Sequence, residues 1–123
     1  MKRTFLAVAA VVVMLAPVAA SAKIKSNLGI RIQSCVVNKG GNGLTNGINV
    51  VYFNTRQVPL SEVDFLVKYN GHKAVLIDTG TFTNGSEINH NLTNALVSYP
   101  WYGPAPSLCT VQRLVTENGK VIE

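Results

Sequence analysis

The sequence predicts an all-β fold, a single β-sandwich of about seven short strands, and three observations carry that expectation. Residues 23–123 are rich in Val, Ile, Thr, Asn and Gly and poor in Ala, Glu and Lys, a composition of strands joined by turns. Several segments alternate apolar and polar residues with a period of two. Turn residues recur at intervals of about 8–12 residues, the spacing of a sandwich or, failing that, of a small barrel. No long internal repeat or low-complexity tract is visible.

The first element is a leader. Lys2 and Arg3 precede an apolar run from Phe5 to Val18, and Ala20-Ser21-Ala22 places small residues where a signal peptidase reads them. A run of about fourteen residues is short of the ~20 that cross a hydrocarbon core, and Pro17 disrupts its end. Residues 1–22 therefore read as a cleaved signal peptide and residues 23–123 as one β-sandwich domain, periplasmic or secreted, with no membrane span in the mature chain. A domain of that size holds one core and is marginally stable.

Strand by strand, Ile30 and Ile32 alternate with Arg31 and Gln33 in the first expected strand, residues 30–38. Residues 39–47 are Gly- and Asn-rich and form a loop. Residues 48–54 place Ile48, Val50 and Tyr52 on one face, and residues 55–59 break the strand. Residues 62–70 place Val63, Phe65, Val67 and Tyr69 on one face and Asp64 and Lys68 on the other. Asn70-Gly71 is a hairpin turn leading into residues 73–78. Thr79-Gly80 turns again before a short segment ending at Phe82, and the turn at residues 83–86 leads to a strand over residues 87–92. Residues 93–99 suit one helical turn and residues 100–106 a loop. Residues 108–116 and 119–122 close the domain as a hairpin around Glu117-Asn118.

Part of this pattern resembles a known family. An apolar strand ending in Asn (Val50-Val51-Tyr52-Phe53-Asn54) is followed by a Val-x-Phe-x-Val-x-Tyr strand and by Phe82, Gly85 and Ile88 in a Phe-x-x-Gly-x-x-Ile element. Residues 48–92 are in this respect similar to the bacterial immunoglobulin-like and fibronectin-type-III-like sandwich domains, especially adhesion-related modules. The resemblance implies that fold and a role in binding or structure, with no ligand residues to carry over. Antibody hallmarks are missing, since Ser107 stands two residues before the second cysteine and Trp101 is off the central strands.

The two cysteines, Cys35 and Cys109, lie in apolar segments of an exported chain, which favours a disulfide over free thiols. Closing a loop of ~75 residues stabilises by about 4.5 kcal/mol in the chain-entropy account. The net charge of +5 falls to +3 without Lys2 and Arg3, and the remaining cations form no run, so nucleic acid is not an expected partner.

The sharpest chemical motif is Asp78-Thr79-Gly80 after Val75-Leu76-Ile77, which resembles the active-site turn of aspartic peptidases. A chain of this length with one motif would work as a homodimer, with two aspartates sharing a proton. The apolar-apolar-Gly segment of that family is missing downstream, and Asp78 lies past the middle of the mature chain. The preferred reading is a structural turn, with no catalytic residue and the domain not an enzyme. His72 and His90, with Asp64, Asp78 or Glu87, have no spacing that unites them as a metal site, and no cofactor is expected. Ser86 lacks a nucleophile elbow, and the glycines of residues 40–47 lack the Gly-Lys-Ser/Thr of a phosphate loop. Tyr99, Trp101 and Tyr102, in a proline-stiffened segment, are the candidate contacts for a protein or carbohydrate partner; the alternative is that Trp101 plugs one end of the sandwich. Asn84 and Asn91 open N-glycosylation sequons. The expected function is a non-enzymatic binding or structural module, with the aspartic peptidase and a secreted inhibitor-like protein as alternatives.

Overall fold

The computed structural model describes residues 23–39, 45–69, 72–93 and 106–123. They contain eight strands: β1 (Ile24–Lys25), β2 (Ile30–Lys39), β3 (Thr45–Asn54), β4 (Leu60–Tyr69), β5 (His72–Phe82), β6 (Glu87–Leu92), β7 (Leu108–Thr116) and β8 (Val121–Ile122). Two sheets form. One has the order β1-β7-β4-β5, with β8 also paired to β7; the other has the order β2-β3-β6. The all-β sandwich read from the sequence is the fold observed.

Alternation decides what lies between the sheets. Ile48, Val50 and Tyr52 of β3 face Val63, Phe65 and Val67 of β4, and all six are fully buried. Tyr52 sits at the centre, its ring edge-on to Phe65 at 4.9 Å and to Phe82 at 5.9 Å between centroids. Such aromatic pairs add about 1 kcal/mol each to plain burial. Cys35 of β2 and Cys109 of β7 are bonded across the sandwich, with their Cα atoms 6.6 Å apart. The disulfide therefore ties one sheet to the other, and such a bond belongs to an oxidising environment.

Polar side chains finish what strand pairing leaves open. Asn27 uses its side-chain amide as a piece of strand. Its Nδ2 donates to the carbonyl of Val111 and its Oδ1 accepts from the Val111 amide. Asn54 is fully buried and holds the break after β3. Its Nδ2 donates to the carbonyls of Phe82 and Val58 while its Oδ1 accepts from the Arg56 amide. An Asn in this place satisfies backbone groups that the interrupted ladder would leave unpaired.

Three expectations need correction. β5 runs unbroken from His72 to Phe82, so Asp78-Thr79-Gly80 is strand and not turn. Gly80 is required there for a different reason from the positive φ of a turn: a Cβ on it would lie 2.9 Å from the Phe82 ring. The residue thus makes room for an aromatic ring. β3 begins at Thr45, inside the segment expected to be loop, and β1 is an added strand parallel to β7. The expected turn at residues 83–86 is present, with Gly85 at φ 80° and the Ser86 amide bonded to the Thr83 carbonyl. The helical turn expected around residues 93–99 falls largely outside the described residues.

Candidate functional site

β5 and β6 are consecutive strands that belong to opposite sheets, and the residues facing across them meet at Asp78. Asp78 pairs in register with the core residue Val63, so its side chain points between the sheets, where it is buried. Tyr52 Oη donates to Asp78 Oδ2 at 2.7 Å. His90 Nδ1, from β6, lies 2.8 Å from both carboxylate oxygens. A carboxylate only accepts, so the network assigns the Nδ1 proton to His90. The three residues come from three strands and clip the two sheets together at one side of the sandwich.

The electrostatics follow from burial. Burial, reinforced by the Asp78 carboxylate, pushes the Tyr52 phenol far above its ordinary value, so it stays a proton donor at all physiological pH. His90 keeps 46% of its side chain exposed, and its ring lies 6.1 Å from that of Phe82. Beside it is a shallow hollow of about 350 Å³, lined by Thr81, Ser86, Glu87, Asn89 and His90 among others.

An imidazole oriented by a buried carboxylate is the arrangement of a base, and of a metal ligand held in one tautomer. A base also needs a nucleophile to act on. Ser86, the serine of the adjoining hollow, gives its hydroxyl to the Thr83 carbonyl at 2.7 Å. Among the described residues, no three His, Cys, Asp or Glu side chains come close enough to hold a metal ion.

A second polar group lies on the opposite face of the β5-containing sheet. Asp64 of β4 is buried, and Arg113 Nη1 reaches its Oδ2 at 3.4 Å and Glu62 Oε2 at 3.5 Å. Asp64 Oδ1 has no hydrogen-bond partner. Burial first, then the neighbouring Glu62 carboxylate, pushes the Asp64 acid up to about 6, with Arg113 pulling the other way.

Of the residues singled out in the sequence, the structure joins Asp78 to His90 and Cys35 to Cys109. It leaves His72 exposed at the start of β5. Asn84 and Asn91 are both exposed, and Asn84 Nδ2 donates to the Arg56 carbonyl at 2.6 Å. Tyr99, Trp101 and Tyr102 lie outside the described residues, as do residues 40–44 of the Gly-rich segment. Sequence reasoning missed Tyr52 as a polar residue, because its place in an apolar alternation reads as plain core. No known protein family, curated protein or solved structure matches this chain.

Proposed function

We propose that this protein is an exported, disulfide-closed immunoglobulin-like module that works by binding or by structural support and not by catalysis. The observation that carries the reading is the Cys35–Cys109 disulfide, buried in the core and bonding the two sheets of a domain that follows a leader-like N-terminus. The strand order supports this reading: on it, β2, β3 and β6 correspond to strands A, B and E, and β5, β4, β7 and β8 to C′, C, F and G. The bond joins the A and F positions, where antibody domains join B and F, so the type is a departure from the antibody pattern.

The surroundings of Asp78 support a non-enzymatic reading. A peptidase of the dimeric kind needs its aspartate facing an identical one with water between them. Here both carboxylate oxygens are held within one chain by Tyr52 and His90. The partner-facing segment is taken, on sequence grounds, to be that of Tyr99, Trp101 and Tyr102, with a protein or carbohydrate as partner.

The test is an acid-pH cleavage assay on the purified protein over a mixed peptide library, with Asp78→Asn alongside. No cleavage is expected from either protein. Cleavage that disappears in Asp78→Asn, with the circular dichroism spectrum unchanged, would overturn the reading in favour of the peptidase.

A further inference from the structure

The outer face of the β5-β4-β7-β8 sheet carries a pattern that no core requirement explains. Strand register lays it out in four rows. Thr79, Glu62, Val115 and Val121 form the first, and Ile77, Asp64 and Arg113 the second. Val75, Leu66 and Thr110 form the third, and Lys73, Lys68 and Leu108 the fourth. Among the described residues four large apolar side chains are exposed, and three belong here: Val75 at 38%, Ile77 at 43% and Val121 at 47%. None of the described strands packs across this face.

The charges are sorted by row. Glu62 and Asp64 lie toward one end with Arg113 beside them, and Lys68 and Lys73 sit directly opposite one another at the other. Like charges directly opposite across strands disfavour the row in isolation. A face that is acidic at one end, basic at the other and apolar between is complementary to itself turned end for end.

We infer that this face is the contact surface between two copies of the chain, related by a half-turn about an axis that crosses the strands between the Asp64 and Leu66 rows. That operation is the isologous contact of a two-fold dimer. It stacks Glu62 of each copy on Lys68 of the other and Ile77 of each on Val75 of the other. Thr79 then meets Lys73, and Val115 meets Leu108. Two twisted sheets pack face to face with their strands within about 30° of each other, so the rows stay in reach of their counterparts. The rows span roughly 20 Å along the strands and the strands roughly 15 Å across. A patch of that extent, roughly 300 Å² on each copy, is smaller than a stable specific interface, so the dimer is a weak and reversible one. Asp78 points to the other side of β5, so this pairing does not bring two Asp78 carboxylates together.

Sedimentation equilibrium on the purified, disulfide-intact protein tests this. A monomer–dimer equilibrium is expected within protein concentrations up to ~200 µM. Lys68→Glu, at an exposed side chain, should weaken the dimer roughly tenfold or more, and Ile77→Lys should abolish it. Combining Glu62→Lys with Lys68→Glu reverses both partners of the stacked pair and should recover most of the affinity lost in Lys68→Glu. Circular dichroism and thermal melts establish that each variant is folded. A wild type that stays monomeric throughout overturns the inference, including the case in which another protein covers this face. So does a dimer indifferent to Ile77→Lys and Lys68→Glu, or a double variant that dimerises no better than the Lys68→Glu single.

Discussion

Two aspartates on adjacent strands of one sheet, Asp78 and Asp64, are about equally buried, at 4% and 5% exposure, yet their situations are opposite. Asp78 points inward, and both of its oxygens have donors from the other sheet, Tyr52 and His90. Asp64 points outward and has one long contact to Arg113, a carboxylate neighbour in Glu62 and an oxygen with no partner. Burial by itself therefore does not say whether a carboxylate steadies a fold. The donors around it do, because a charge taken out of water regains its solvation only through hydrogen bonds and opposite charge.

The largest effect should come from the inward site. Asp78→Ala leaves the buried Tyr52 hydroxyl without an acceptor and removes the link to β6. A loss of about 3 kcal/mol is expected from urea unfolding. A loss below ~1 kcal/mol would show that the clip contributes little and that the contrast with Asp64 is empty. Tyr52→Phe is the gentler cut. It removes one donor while keeping the ring against Phe65 and Phe82, so about 1–2 kcal/mol should be lost.

The outward site should respond with the opposite sign. The folded Asp64 acid titrates at about 6, above its ordinary value near 3.9, so the folded state holds this proton more tightly than the unfolded chain does. Its contribution to stability is fully present below pH ~3.9 and is lost as pH rises through ~6. Because Arg113 favours the ionised form while burial and Glu62 oppose it, the loss is on the order of 1 kcal/mol. Asp64→Asn removes that dependence. Relative to wild type, the variant should be more stable by about 1 kcal/mol at pH 7 and show little advantage at pH 4. Equal differences at the two pH values would mean that Asp64 is ionised as easily in the folded state as in the unfolded chain.

Much of the framework was legible because strand geometry is local. β6 and β7 begin and end where the turn residues and apolar segments of the sequence place them. The inward set of Ile48, Val50, Tyr52, Val63, Phe65 and Val67 follows from period two alone. The cysteine pair was legible from compartment and count. Asp78 was misread because Asp-x-Gly is a frequent turn, and nothing within a few residues of it signals a strand that continues to Phe82. No sequence spacing unites His90 with Asp78, because the two are twelve positions apart and lie on strands of opposite sheets. Asp64 was assigned to the outward face correctly, but its burial depends on Arg113 and Ile77, which register with it from neighbouring strands.

The sequence by itself determined the class of the fold, most of its strands, the faces they turn inward and the chemistry expected of its two cysteines. Each of these rests on properties a few residues long: side chains alternate along an extended backbone, and glycine, asparagine and proline interrupt it. Only the tertiary structure decided that Tyr52, Asp78 and His90 meet, that Gly80 yields to the ring of Phe82, and that Asp64 lacks a full set of donors. Those facts depend on which strands become neighbours and in what register. A shift of one residue would reverse every side chain, and a change of sheet would replace every partner.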